Sequence, residues 1–471
     1  MKVKAQRNSL NMLEGSIWKG MVAFAMPVFF GNLFQQLYNT ADTFIVGNFI
    51  GKEALAAVSS SGHLIFMLTG FLNGVAMGGG VLIAKHYGAR EYKQMQTAIE
   101  TSLAFAILGG IAMSIFGVLA SPLMLRLMGT PADVMPNSVA YFRTYFMGVL
   151  ATFLYNICMG ILQAVGDSKH PLYYLIFSSA LNVVLDLLFV GAFHWGVASA
   201  ALATVISQAV SAVLCLVQLS RTKEVYRVDL RKLRIHGPTL RQIIRLGLPS
   251  GLQNCAISIG NVVVQSNINI FGANAIAGCG AYSKIEGFVL MPMMCFSMAL
   301  STFVGQNLGA RQYDRVRKGA KFGLICAVII AELTGILIFF FAPALLRLFN
   351  NDPAVVAYGT AQARIESLLY FLVSFSNCVA GVLRGAGKTK VPMFTMFGCW
   401  CLVRVTAVSA LVRLFGSITV IFIMYPVTWL LSSTVFMIYY NKADWMHYFE
   451  HMDEEEHRRR LMKEQAKQNA E

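Results

Sequence analysis

The feature that most constrains this chain is a series of twelve apolar runs, several of them too long for the interior of a soluble domain. Thr101–Leu119, Leu172–Val190 and Leu324–Phe341 each reach the ~18 residues or more that a helix needs to cross a hydrocarbon layer of about 30 Å. Inside that layer every backbone polar group must be satisfied within its own segment, so the runs must be helices. They begin near Ile17, Ala54, Thr97, Ser138, Pro171, Gly196, Leu240, Ala275, Ala320, Val355, Val391 and Ser417. Composition agrees: 13% of residues are charged, against about 25% in soluble domains.

A net charge of +15 would suit a nucleic-acid binder, but its distribution points to a membrane. With the N-terminus in the cytoplasm, the N-terminal segment, alternate loops and the tail hold 30 of the 38 Lys and Arg residues, eight of them between Arg221 and Arg245. The opposite loops hold little beyond Lys52, Arg126, Arg347 and Arg413. This is the positive-inside asymmetry. It places both ends in the cytoplasm, with a bacterial plasma membrane as the expected location. The basic start at Lys2, Lys4 and Arg7 precedes an apolar run longer than the ~7–15 residues of a signal peptide's core, so a retained first span is expected. The nine cysteines lie mostly within apolar runs, as at Cys158, Cys215, Cys295 and Cys326, with no metal-ligand or disulfide spacing. They read as small hydrophobes.

The chain contains one unit twice. Gly88-Ala89-Arg90-Glu91-Tyr92 recurs as Gly309-Ala310-Arg311-Gln312-Tyr313, a shift of 221. At the same shift Pro122 meets Pro343, Arg126 meets Arg347, Arg143 meets Arg364, and Pro171 meets Pro392. Gly166-Asp167-Ser168-Lys169 meets Gly387-Lys388-Thr389-Lys390, and Met26-Pro27 meets Leu248-Pro249 one gap away. Each copy holds six spans, an even number, so both enter the membrane in the same sense. The expected fold is an all-α polytopic membrane protein: twelve transmembrane helices in two six-helix bundles related by a pseudo-two-fold axis along the membrane normal. The expected organisation is an N-terminal half at 1–220, a cytoplasmic linker at 221–239, a C-terminal half at 240–443 and a charged cytoplasmic tail at 444–471. A cleft between two like bundles suits alternating access, and hence secondary transport rather than enzymatic work.

Charges within spans cost about 2.5–3.5 kcal/mol at the bilayer centre, which makes each one a functional candidate. Asp42 on helix 1 and Asp186 on helix 5 stand out, with Asn182 one turn before Asp186 on the same face. Gln35, Tyr38 and Asp42 form a polar stripe on helix 1. Counting ~1.5 Å per residue from the helix ends puts Asp42, Asn182, Asp186 and Thr204 together in the outer half of the bilayer. Their oxygens suit a hard cation, while a dry setting and mutual repulsion favour a carboxyl that keeps its proton. The chemistry fits H+ or Na+. Pro27, fifteen residues before Asp42, interrupts the hydrogen-bond ladder and is a candidate hinge. Gln35 and Tyr38 are candidate cavity residues. In the other half Glu286 is the leading cavity candidate, ahead of Glu332 and Glu366, with Arg364 and Arg404 also at membrane depth. Methionines at 291, 293, 294 and 298 add adaptable surface, though packing alone accounts for them.

Gly381–Thr389 imitates a phosphate-binding loop, but the first glycine is misplaced, with Val382 where glycine is required, and no strand precedes it. It reads as a cytoplasmic turn between helices 10 and 11. No ATP-driven step is expected. The eight histidines are scattered, which argues against an integral-membrane enzyme.

The residues resemble the multidrug and toxic compound extrusion (MATE) family over nearly the whole chain. The resemblance rests on two six-helix halves, Pro27 with Gln35, Tyr38 and Asp42, the Gly88-Ala89 and Gly309-Ala310 loops, and Asn182 with Asp186. It implies efflux of organic cations and amphipathic drugs driven by inward H+ or Na+. It also implies that Asp42, Asn182, Asp186 and Thr204 match the N-half cation or proton site, and that Pro27 matches a proline whose bending accompanies protonation. Glu286 is similar to an acidic residue implicated in other members. Helix 7 carries Gln253 and Asn254 but no carboxylate, so a C-half sodium site of that kind is not expected. The expected partners are cationic or amphipathic small molecules and the lipid bilayer, without nucleic acid or cofactor beyond the coupling ion, and the expected unit is a monomer. A flippase for lipid-linked precursors is the alternative; its anionic cargo would favour cationic rather than acidic residues inside.

Overall fold

A computed structural model describes residues 12–49, 52–127, 130–452 and 454. The described residues form twelve helical rods: α1 Ile17–Phe49, α2 Lys52–Gly88, α3 Tyr92–Leu127, α4 Met135–Ala164, α5 Lys169–Ala192, α6 Val197–Arg221, α7 Gly237–Asn269, α8 Ala273–Gly309, α9 Tyr313–Arg347, α10 Pro353–Gly385, α11 Lys390–Phe415 and α12 Thr419–Lys442. Ten of them are long and apolar enough to cross a membrane unaided, and α4 makes an eleventh span bent by 45° at Gly148. The exception is α7. Its buried face includes Gly247, Pro249, Ser250, Gly251 and Gln253, and Asn261, Ser266 and Asn269 are exposed; together they lower its hydropathy. The rods form two six-helix bundles related by a pseudo-two-fold axis along the membrane normal.

The repeat recurs in backbone detail. Four helices end in the same cap, in which a left-handed residue reverses the chain and the next amide reaches back to a carbonyl five residues earlier. The left-handed residues are Arg90 (φ 59°) and Arg311 (φ 56°), and Gly166 (φ 90°) and Gly387 (φ 83°), each pair 221 residues apart. The reaching amides are Glu91 to His86, Asp167 to Leu162, Gln312 to Asn307 and Lys388 to Leu383. The imitation phosphate loop at 381–389 is therefore a helix end and a turn. Arginine is unusual at a left-handed position, so Gly88 and Gly309 do not serve the turn. They serve a crossing: a Cβ on Gly88 would stand 1.8 Å from the Gln306 carbonyl oxygen, and one on Gly309 2.0 Å from that of Lys85. The ends of α2 and α8 thus cross backbone to backbone.

The halves are joined along a second seam of the same kind. Gly70, Gly74 and Gly78 lie one turn apart on α2, as do Gly247 and Gly251 on α7. A Cβ on Gly74 would lie 2.2 Å from the Gly251 nitrogen, and one on Gly78 2.3 Å from the Gly247 nitrogen. Small residues let helix backbones approach this closely in lipid, where packing replaces the hydrophobic effect as the source of association. Asn254 closes the seam by donating to the Gly70 carbonyl at 2.8 Å.

On the face that carries the basic linker, both chain ends clamp the two halves together. Arg315 on α9 donates to the carbonyls of Met12, Glu14 and Gly15 at 2.9–3.1 Å. After α12 the chain buries Trp445, Phe449 and Met452. Glu450 accepts from the Tyr313 hydroxyl at 2.7 Å, and the ammonium groups of Lys85 and Lys388 lie over Phe449 and Tyr448. Lys85 belongs to the first half and Tyr313 and Lys388 to the second, so the segment after α12 bridges them.

If the α2–α7 seam holds the halves, Gly78→Val must force the backbones apart, at a cost of at least the ~1–3 kcal/mol of an overpacked core. We expect a clear fall in the unfolding midpoint of the purified protein in detergent. Gly280→Ala, where a Cβ meets nothing within 4 Å, should leave the midpoint unchanged or slightly raised; equal effects at both positions would remove the seam's role.

Candidate ion-coupling site

Three helices of the first bundle present polar groups inward. On α5, Ser178, Asn182 and Asp186 recur every four residues, one above the other, and are 2%, 1% and 0% exposed. Asp186 is the last α-helical residue before a π-helical turn, Leu187–Ala192; such wide turns recur at functional sites. On α6, Thr204, Ser207 and Gln208 face them. On α1, the helix runs unbroken through Pro27 to Asp42 and beyond. Pro27 leaves the carbonyl one turn earlier, at Ala23, without its amide partner. That interruption lies about 22 Å of helix from Asp42 at ~1.5 Å per residue.

The structure brings the predicted residues together. The carboxyl groups of Asp42 and Asp186 face each other at close range. The Asn182 amide bridges onward: turned one way, Nδ2 donates to Thr204 Oγ1 at 3.4 Å. Turned the other way, it donates to Asp186 Oδ2 at 3.2 Å while its oxygen accepts from the Thr204 backbone N–H at 3.3 Å, which satisfies both ends. The Thr204 hydroxyl donates to the Ala200 carbonyl at 3.2 Å, leaving its oxygen lone pairs facing the site. Tyr38 lies beside Gln35 and Gln208 and within electrostatic range of both aspartates. Tyr38, Ser178, Ser179, Asn182, Thr204, Ser207 and Gln208 line a narrow crevice beside the carboxyls. Asp42 Oδ1 and Asp186 Oδ1 are buried without a hydrogen-bond partner among the described residues.

Glu286 lies elsewhere. It is half-buried in the second bundle, within electrostatic reach of Glu366 and Arg404. Among the C-half carboxylates it is Glu366 that is fully enclosed, at 0% exposure, because its face of α10 turns into the bundle. Glu332 is partly buried. Charge in the sequence does not single out Ser178, Ser207, Gln208 or Tyr141, the last buried near Asp42 and Asp186. A signal for the first three was present: Ser178 precedes Asn182 by one turn, and Ser207 and Gln208 follow Thr204 by one turn. Tyr141 carried none, since nothing distinguishes it from the other aromatic residues of α4.

Two carboxyl groups cannot touch as two anions. The arrangement is one that a shared proton or a cation would neutralise, and Asp42 Oδ1 and Asp186 Oδ1 are free to accept either. Asp42, Asp186, the Asn182 amide oxygen and Thr204 Oγ1 form an oxygen-only set suited to a hard monovalent ion.

Two like-oriented bundles of six membrane-spanning helices, with ionisable groups sealed inside each, define a membrane transporter rather than an enzyme. The chain belongs to the MatE family, whose profile matches twice, at residues 27–188 and 249–409, once in each half. It is 30% identical over 393 residues to the probable multidrug resistance protein YoeA of Bacillus subtilis, covering 82% of this chain and 85% of that one. It is 26% identical over 387 residues to the probable multidrug resistance protein NorM of Thermotoga maritima, covering 81% and 82%. Among solved structures, an outward-facing multidrug resistance MATE family transporter of the MOP superfamily superposes with a TM-score of 0.85 at 22% identity, covering 93% of this chain and 98% of that one. A MOP superfamily transporter from Pyrococcus furiosus, described as having a binding pocket of reversed polarity, superposes at 0.86 and 22%, with the same coverage.

Contacting groups couple energetically. In a double-mutant cycle, Asp42→Asn and Asp186→Asn should be non-additive in unfolding free energy by ~0.5–3 kcal/mol. Additivity would mean that the two side chains do not meet.

Proposed function

We propose that this chain is a secondary antiporter that exports organic cations or amphipathic drugs in exchange for H+ or Na+, and that the Asp42–Asp186 contact is its coupling site. The contact carries the reading. It is an acidic pair, Asp186 fully buried and Asp42 partly so, whose electrostatics change sharply when a proton or a cation arrives or leaves, and a conformational equilibrium responds to a ligand in proportion to such a difference. With the ion bound the pair is neutralised. With the ion gone, two buried anions repel, and α1 and α5 are pushed apart within the first bundle. Pro27 gives α1 a point at which to bend in response. Asn182 and Thr204 hold the Asp186 carboxyl in place and complete the oxygen set, while Gln35 and Tyr38 face the substrate side.

The acidic polarity of this bundle favours cationic cargo over the anionic headgroups that a lipid-precursor flippase would carry. Multidrug resistance relatives in Bacillus subtilis and Thermotoga maritima support drug efflux. The basic face would be cytoplasmic, with both chain ends inside a bacterial plasma membrane. A closed seam and clamp on that face leave the opposite side as the route of release.

The test is efflux of a cationic dye from proteoliposomes under a proton gradient and, separately, a sodium gradient. Asp42→Asn and Asp186→Asn should each lower gradient-driven efflux about tenfold or more, equivalent to ~1.4 kcal/mol or more in the coupled step, while the protein still elutes as a single species. Efflux at the parent rate in both variants under both gradients removes the coupling site.

A further inference from the structure

The second bundle has an ionic centre of its own, built differently from the first. At the repeat spacing, Asp42 and Asp186 are replaced by Val264 and Ala407, so the aspartate pair is not duplicated. The new charges arise at other register positions: Glu366 stands where the first half has Tyr145, and Arg404 where it has Val183. Tyr145 and Val183 flank the aspartate centre, Tyr145 beside Tyr38 and Val183 next to Asn182 in sequence. The two centres therefore occupy corresponding regions of their bundles.

Arg404 and Glu366 are 3% and 0% exposed. Thr428 Oγ1 accepts from Arg404 Nε at 3.0 Å and from Nη2 at 2.7 Å, and the guanidinium lies 4.4 Å from the centre of the Tyr425 ring. Glu366 Oε1 accepts from Gln362 at 2.9 Å, while Oε2 is buried with no hydrogen-bond partner among the described residues. Glu286 completes the group, with Arg404 acting electrostatically on both carboxylates. Thr428 and an aromatic face thus hold the guanidinium directly, and its charge serves two acidic groups without chelating either.

A buried anion needs a nearby positive charge, and taking that charge away leaves an uncompensated site that is strongly unfavourable. Among the described residues of the first bundle no fixed cation stands beside the aspartates, so their neutralisation is left to a proton or an ion from outside the chain. In the second bundle the positive charge is part of the chain. We propose that Arg404 is a tethered cation whose charge, held by Thr428 and Tyr425, compensates Glu366 and Glu286 through space and so keeps the second bundle from binding a mobile alkali ion. Arg404 is a positioning and specificity residue here. Its fixed charge repels a second monovalent cation, and the exchange of ions is left to the first bundle. The inference does not rest on the coupling role of Asp42 and Asp186.

The test measures 22Na+ binding to the purified full-length protein at pH 8 in an Asp42→Asn/Asp186→Asn background, which silences the first bundle. Without further change, no Na+ should bind in a manner sensitive to Glu366→Gln. Arg404→Gln should add one Na+ per chain, Arg404→Gln with Glu366→Gln should abolish the gain, and Arg404→Lys should behave like the background, since a lysine restores the fixed charge. A merely structural arginine would yield no gained site. The proposal is overturned if Arg404→Gln elutes as a single folded species and binds no added Na+. It is equally overturned if Glu366→Gln removes Na+ binding from the background protein with Arg404 intact. Should Arg404→Gln fail to fold, this second comparison decides by itself.

Discussion

The backbone of α2 runs against that of α7 with no side chain between them, and most of what is particular to this molecule depends on that contact. Two bundles in a bilayer gain little from burying apolar surface against each other, because lipid is equally apolar. What holds them is close packing, which glycine permits by leaving room for the opposite backbone at Gly74, Gly78, Gly247 and Gly251. The crossing of α2 on α8 at Gly88 and Gly309 repeats the device at the basic face. Arg315 on the N-terminal carbonyls and the aromatic segment after α12 reinforce it there. The stabilising contacts thus concentrate on one side, the arrangement required if the halves are to rock rather than separate.

Within this frame the bundles have diverged in what they do with buried charge. Both descend from the same six-helix unit and keep its caps to within a few degrees of φ. Yet one places two carboxyls together with no basic residue beside them among the described residues, and the other has an arginine within electrostatic range of two carboxylates. A buried charge is tolerated only when it is neutralised, and these are two solutions to that requirement: a visiting ion or a resident one. A visiting ion makes the state of the bundle depend on what lies outside the membrane, whereas a resident one does not. On the roles proposed above, the duplicated halves would divide the labour along that difference.

The sequence by itself determined the spans, their two-copy arrangement and the polar residues at membrane depth, Asp42, Asn182, Asp186 and Thr204, that the first bundle brings together. The reason is that each signal is local. Twenty apolar residues in a row allow only one secondary structure in lipid, a shift of 221 is visible without coordinates, and an aspartate at membrane depth is conspicuous because it is costly. Spacing within one helix also put Asn182 and Asp186 on a shared face.

Tertiary structure alone decided how faces from different helices meet. That Asp42 faces Asp186, that Gln208 and Tyr141 join them, and that Glu366 rather than Glu286 is the enclosed carboxylate of the second bundle all depend on the rotation of each rod about its axis. That rotation is set by packing against neighbours distant in sequence. The same reason explains the glycines: Gly88 and Gly309 read as loop residues, but the turns are made by Arg90 and Arg311, and the glycines are needed one step earlier, where another helix passes within van der Waals reach. A chain's own periodicity says which residues share a face, and only the assembled bundle says what that face is turned towards.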